Sequence, residues 1–301
     1  MHQYKRPATL SKVNWDSLSP EDRDALRALV PPKDVVEQYV SRTLDGGFLD
    51  LDALGIAMDN KLNVMLWGPT QSAKTTVLRA FAAQWGLPMI SIPINGGIDV
   101  EGIPGGWRPH EEKLAKWYDS MASLIVANFG VIEIGEPNMT VSNSLARLFE
   151  LLDNRRQLTR EQYDGSVIKA GPAVLLGGTL NLGKEYAGTF PLNEAFKERF
   201  PVRIEWGYSE LVEDELIGVA ALQAFARSVR GNKDIKTPFS TKLMEDYILF
   251  TLVYNAEFAA AQMIGRFSEH EQNGVRLAFA QFRDQVESEV AELLSEEDAL
   301  I

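Results

Sequence analysis

Cysteine is absent from the 301 residues, which excludes disulfides, thiolate zinc sites and cysteine nucleophiles together. Histidine is nearly absent. His2, His110 and His270 are the full set; none is paired with another at metal-ligand spacing, and each reads best as an exposed polar side chain. No apolar run approaches the roughly 20 residues needed to cross a bilayer, and the opening MHQYKRPATL has no signal-peptide core. The chain is therefore expected in the cytoplasm, without a membrane partner. Positive charge is also short: Lys and Arg number 30 against 42 Asp and Glu, a net charge of −12. Such a balance argues against a surface built to coat nucleic acid or an anionic membrane, although it leaves room for a local basic channel. What remains is ordinary for a globular protein, 45% hydrophobic and 24% charged, and long enough to bury one large core or two modest ones.

Three textures follow one another. Residues 1–60 hold helical stretches, one opened by Ser19-Pro20-Glu21 and another by Pro32-Lys33-Asp34, each with proline early and acids in the first turn. Residues 61–206 alternate short apolar runs with helical patterns. The runs are Leu62–Trp67, Met89–Pro93, Val131–Ile134, Val174–Leu180 and Val202–Trp206, and the alternation predicts an α/β domain whose parallel five-stranded sheet is flanked by helices. Residues 207–301 lose the strands and read as a C-terminal helical domain. Its tail from Asp284 to Ile301 is acidic without a base and reads as a solvated amphipathic helix.

The strongest chemical signal is Leu62-Asn-Val-Met-Leu-Trp67, a buried strand, running into Gly68-Pro69-Thr70-Gln71-Ser72-Ala73-Lys74-Thr75-Thr76. This is the order a phosphate loop requires. Backbone N–H groups of the turn and of the following helix face the phosphates, Lys74 reaches the β and γ oxygens, and the Thr75 hydroxyl holds Mg²⁺. The residues from Gly68 to Thr76 are the candidate ATP contacts. The pattern departs from G-x-x-x-x-G-K-[ST] at Ala73, where a methyl group is tolerated at negative φ and strained otherwise.

A second strand, Gly130-Val-Ile-Glu-Ile-Gly-Glu-Pro-Asn138, stands where a Walker B strand belongs. Such strands end in Asp-Glu, the Asp supporting Mg²⁺ through water and the Glu polarising the attacking water. Glu136 stands at the Glu position and Gly135 at the Asp position. Glu133 lies two residues earlier on the same face, about 6.6 Å back by strand rise, a distance that disfavours a simple exchange of roles. A strand without its Asp predicts a weak Mg²⁺ site and slow hydrolysis.

Together these segments resemble the MoxR branch of the AAA+ ATPases, with its CbbQ- and NorQ-type activators and dynein-related modules. The resemblance covers residues 40–265. Asp99-Val-Glu-Gly-Ile-Pro-Gly105 is similar to the family's acidic segment before its helix-2 insert, and Trp107-Arg-Pro-His110 with Lys113-Leu-Ala-Lys-Trp-Tyr-Asp119 would form that insert's hairpin. Leu145-Ala-Arg-Leu-Phe-Glu-Leu-Leu-Asp-Asn-Arg-Arg-Gln-Leu-Thr159 resembles the family's "LLDER-x-LT" stretch, with Val167-Ile-Lys169 as the return of a further hairpin. Gly178-Thr-Leu-Asn181 resembles the sensor 1 strand, and Leu192-Asn-Glu-Ala-Phe-Lys-Glu-Arg-Phe200 the family's "L-x-E-A-x-x-D-R-F".

What the resemblance implies is a P-loop AAA+ core with a C-terminal helical lid, hydrolysing ATP with Mg²⁺ as a homo-oligomeric ring, a hexamer, that remodels or activates a protein partner, often one with a von Willebrand A domain. Asn181 would orient the lytic water, and Arg199 would be the arginine finger offered to a neighbouring subunit. Lys242, in Ser240-Thr-Lys-Leu243, stands where the family has its sensor 2 arginine, with Arg266 and Arg276 as alternatives. Trp107, Trp117 and Tyr118 would either contact substrate in a pore or pack within their hairpin. Two other readings stay open: a subunit that binds ATP as a structural ligand and hardly hydrolyses it, towards which Ala73, Gly135 and Lys242 lean, and a nucleic-acid motor, which the acidic charge disfavours.

Overall fold

Each apolar run of the middle region becomes a strand, and the polar–apolar stretches between them become helices that cover the sheet. The computed structural model describes residues 4–94, 102–111, 113–140, 145–146, 148–181 and 190–298. In chain order the elements of the first part are α1 (Pro20–Arg27), α2 (Asp34–Glu37), α3 (Asp50–Asp59), β1 (Val64–Gly68), α4 (Lys74–Trp85), β2 (Met89–Pro93), β3 (Gly105–His110), β4 (Lys113–Asp119), α5 (Met121–Ala127), β5 (Phe129–Gly135), α6 (Phe149–Leu152), β6 (Gln157–Thr159), β7 (Val167–Lys169), β8 (Ala173–Asn181), α7 (Glu194–Lys197) and β9 (Val202–Glu205). The second part holds α8 (Glu210–Ile217), α9 (Ala220–Gly231), α10 (Thr241–Val253), α11 (Ala256–Gly265), α12 (Glu269–Ala280) and α13 (Arg283–Asp298).

Five strands form one sheet in the order β2-β5-β8-β1-β9, and every pairing in it is parallel. Sequential strands cannot lie side by side in this order without crossing over, and α4 and α5 are such crossovers. The central strands are buried on both faces, as Val131, Ile132, Ile134, Leu175 and Leu176 show by being almost wholly inaccessible. That double burial explains why they read as continuous apolar runs rather than alternating ones. Side hairpins β3–β4 and β6–β7 are antiparallel, as the two expected hairpins require. The start of the acidic segment, Asp99–Glu101, lies outside the described residues.

By contacts the chain divides into two units, one of residues up to Gly68, Ala73–Asn181 and the stretch that ends at Trp206, the other of Pro69–Ser72 and Gly207 onward. The N-terminal helices share the first unit's core: Leu10, Leu18, Leu26, Leu51 and Leu54 are buried in the same cluster as the sheet. Ser19 caps α1 by accepting from the Asp22 N–H, as its sequence signature predicts.

In the second unit the core is aromatic. Phe225 is fully buried, with ring centroids of Phe239 at 5.3 Å and Phe279 at 5.1 Å, and such burial contributes roughly 1.5–3 kcal/mol per side chain. The acidic tail is more than a solvated face. Val286 and Val290 on α13 are completely buried in this core, and Glu289 accepts the Ala221 N–H at the start of α9. Among the described residues no helix is long and apolar enough to cross a membrane.

Candidate active site

The three central strands release their chain at one edge. Gly68 at the end of β1 is level with Asn181 at the end of β8, and Gly135 at the end of β5 is level with Thr179. This is the carboxyl edge of a parallel sheet, where crossovers leave a crevice and ligands bind.

Gly68 is there for steric reasons. A Cβ at that position would stand 2.3 Å from the Trp206 carbonyl oxygen. Five residues on, Ala73 has φ +69°, the left-handed conformation in which its methyl group is strained, by about 1 kcal/mol relative to glycine. That backbone turn feeds directly into α4, whose first residue is Lys74. Within the loop, Ser72 Oγ donates to the Pro69 carbonyl at 2.8 Å, and Gln71 also adopts a positive φ of 53°. Thr70 and Gln71 are met by Tyr208 and Ser240: the Tyr208 hydroxyl donates to the Thr70 carbonyl at 2.9 Å and Ser240 Oγ to Gln71 Oε1 at 2.7 Å.

Lys74 is buried, 7% exposed, and its Nζ donates to the Gly68 carbonyl at 3.3 Å. Burial pushes its ammonium down to about 8; the negative charges of Glu136 and Glu133 act against that shift, and Arg42 adds to it. A buried ammonium donor at the head of the helix is a group that phosphate oxygens suit. Arg42 is a contributor that sequence reasoning missed. Its guanidinium lies 4.4 Å from the centroid of the Trp206 ring, and nothing in the residues around it resembles a motif.

Glu136 and Asn181 meet across adjacent strands. Asn181 Nδ2 donates to Glu136 Oε1 at 2.5 Å, the Glu136 N–H donates to the Thr179 carbonyl at 2.8 Å, and Asn138 Nδ2 holds the Asn181 carbonyl at 3.2 Å. Glu136 itself takes a left-handed conformation, φ 51°, so the chain turns off β5 at the residue that carries the carboxylate. Strain of this kind gathers where a side chain must be aimed.

Glu133 reaches Thr75, a contact that strand spacing does not record. Its carboxylate accepts from Thr75 Oγ1 at 2.6 Å, from Thr179 Oγ1 at 2.9 Å and from Ser91 Oγ at 2.5 Å. The 6.6 Å separation counts backbone rise alone; the length of the glutamate side chain and the position of Thr75 in the first turn of α4 close it. A cavity of about 420 Å³ opens at this point, lined by Thr75, Ser91, Glu133, Gly135, Glu136 and Thr179 among others. Oxygen donors of this kind suit Mg²⁺, which keeps most of its water and takes few protein ligands beside substrate phosphates.

Thr76 is exposed in the first turn of α4. Arg199, just past α7, does not join these residues through any contact of its guanidinium: that group lies 3.9 Å from the centroid of the Phe149 ring, and Nη1 donates to the Ala195 carbonyl. Its Nε is buried with no hydrogen-bond partner among the described residues. Lys242, in the first turn of α10, pairs with Asp246 at 3.1 Å and Glu245 at 3.4 Å, and the hydrogen bond it donates to Asp246 raises its pKa. Arg266 pairs with Asp246 at 3.7 Å. On the hairpins, Trp117 and Tyr163 stack with centroids 5.3 Å apart, and Trp107 meets both rings edge-on. Trp107 and Trp117 thus pack with Tyr163, Trp107 remaining half exposed, whereas Tyr118 lies outside that cluster, with Arg108 at 5.8 Å and Lys116 at 5.3 Å from its ring centroid.

Residues 63–200 match the family described as AAA domain, dynein-related subfamily. An uncharacterized protein of Staphylococcus haemolyticus is 30% identical over 194 residues, which cover 62% of this chain and 72% of that protein. Another, of Staphylococcus epidermidis, is 32% identical over 197 residues with the same shares covered. Among solved structures, a protein of Cytophaga hutchinsonii covers 86% of this chain and 87% of its own at 17% identity, with a TM-score of 0.48.

Proposed function

This chain belongs to the AAA domain family, dynein-related subfamily, and from that premise we propose that it binds ATP with Mg²⁺ and hydrolyses it to remodel or activate a protein partner. The observation that carries the reading is the Glu136–Asn181 hydrogen bond of 2.5 Å at the strand edge, beside a buried Lys74 whose charge feels Glu136. Lys74 would pair with the β and γ oxygens, and the first N–H groups of α4 would face them. Bound Mg²⁺ would neutralise charge on the phosphate oxygens, and Thr75 would be its protein ligand. Glu136 would polarise a water and Asn181 would hold that carboxylate in line. Arg199 would serve a neighbouring subunit's nucleotide, which requires a ring; a hexamer of the MoxR type, working in the cytoplasm on a partner such as one with a von Willebrand A domain, is the form proposed. Residues 207–301 would act as the lid, with Lys242 as the sensor 2 cation.

Glu136→Gln tests the reading. It should leave ATP affinity within about threefold and lower kcat by about 10²–10⁴, the usual contribution of a positioned base. Equal turnover in variant and wild type would remove Glu136 from the chemistry. The assay should be run with and without DNA, since stimulation by DNA would favour the motor reading. Gly135 favours one competitor, a subunit that holds ATP without turning it over; that reading predicts tight binding and no measurable kcat in the wild type.

A pH dependence follows from Lys74. Its pKa of about 8 in the free protein should rise when phosphate charge comes beside it, so the complex binds more protons than the free protein does. Affinity should therefore weaken as pH climbs above 8, and calorimetry in buffers of different ionisation enthalpy should register uptake of about half a proton at pH 8. Uptake of none would place Lys74 away from the phosphates.

A further inference from the structure

Gly135 leaves the strand end without the acid that the family pattern carries there, yet an acid already faces Thr75. Glu133 precedes Gly135 by two residues on β5 and so shares its face. It is 2% exposed, and its hydrogen-bond partners among the described residues are three neutral hydroxyls, those of Thr75 at 2.6 Å, Thr179 at 2.9 Å and Ser91 at 2.5 Å. Neutral donors compensate a buried carboxylate only in part, and beside Lys74, on whose charge it acts, a bound metal ion would stabilise it further. The cavity beside it is open, because at Gly135 even an added Cβ would find only ordinary contacts, Pro93 Cα at 3.6 Å, the Ile92 carbonyl oxygen at 3.8 Å and Thr179 Oγ1 at 3.9 Å.

We propose that Glu133 is the carboxylate that anchors the Mg²⁺ of the bound nucleotide, displaced by one strand pleat from the usual position. The inference rests on the ATP–Mg²⁺ reading above. A threonine hydroxyl has one proton to donate and two lone pairs to offer. With the Thr75 proton committed to Glu133 Oε1, both lone pairs are free to face the metal. Oε2 is kept in place by Ser91 from the neighbouring strand β2, and Thr179 fixes Oε1 from the other side. Glu133 thus positions Thr75 and presents negative charge to the ion's water shell, and the site loses little by having Gly135.

The test is titration of Mg²⁺ against binding of a fluorescent ATP analogue to the full chain, with a parallel titration in EDTA. Glu133→Gln, nearly isosteric, should raise the Mg²⁺ concentration needed for half-maximal effect by about 10–100-fold, the usual cost of losing a partner of a metal ligand, and leave affinity in EDTA unchanged. An unchanged Mg²⁺ requirement overturns the proposal, and so does an equal loss with and without Mg²⁺, which would make Glu133 a packing residue. Gly135→Asp serves as the second variant should Glu133→Gln fail to fold. With an acid already at work, it should lower the Mg²⁺ requirement by less than about threefold; a gain of tenfold or more would show that the strand end lacked its anchor. A wild type that binds no nucleotide overturns the ATP reading and this inference with it, whereas Mg²⁺-dependent binding that ignores Glu133 overturns this inference alone.

Discussion

Arg199→Ala should leave ATP bound and lower kcat by about 10³–10⁵, the contribution of an arginine that neutralises the charge of phosphoryl transfer. The size of the effect depends on how the residue is held. Its backbone is fastened to the first core: Asn63 Nδ2 donates to the carbonyls of Arg199 and Leu152, both at 2.6 Å. Asn63 Oδ1 accepts from Arg156 Nη1 at 2.9 Å, and Arg156 Nη2 donates to the Val174 carbonyl at 2.9 Å on β8. The guanidinium is held more lightly, over the Phe149 ring, a contact worth about 0.5–2 kcal/mol, and by one hydrogen bond from Nη1 to the Ala195 carbonyl. A fixed backbone with a side chain that leaves its resting place at small cost is what a group acting across a subunit boundary needs. Mixing Arg199→Ala with Glu136→Gln subunits should recover part of the turnover, because some mixed interfaces carry both intact groups. Turnover of Arg199→Ala equal to wild type, or light scattering that finds only monomer with ATP present, contradicts a role in trans.

The sheet was legible because its physics is one-dimensional. Five apolar runs separated by helical stretches admit few arrangements once crossovers must be right-handed, and all five runs lie in the one parallel sheet. Glu136 could be picked out from its place at a strand end and Asn181 from the family resemblance, and their hydrogen bond shows that the two strand ends adjoin. Glu133 could not, since its contact with Thr75 depends on side-chain reach between β5 and α4, which strand spacing does not record. The sign of φ at Ala73 was equally hidden; sequence states only that a methyl group replaces a glycine there. The N-terminal region and α13 were underestimated for a related reason. Their patterns announce helices, but whether Leu26 or Val286 is buried depends on which distant surface receives it. Arg42 lies in no motif, and only its closeness in space to Lys74 and Trp206 reveals it.

Lys74→Ala carries the second large effect and bears on the central claim, that this loop is a nucleotide site. Removing one member of a buried charge pair costs about 2–5 kcal/mol or more, roughly a 30- to 5,000-fold loss of affinity. The fold should not suffer. Burial holds the Lys74 ammonium at about 8 rather than 10.5, so in the free protein near pH 7 its charge is a cost that alanine relieves. The Tm of Lys74→Ala without ligand should then equal or exceed that of the wild type. The decisive measurement is a calorimetric titration of ATP with Mg²⁺ into both proteins at pH 7. Saturable binding by the wild type and none detectable by a folded Lys74→Ala is the predicted result; equal affinity in the two would contradict the assignment of this site.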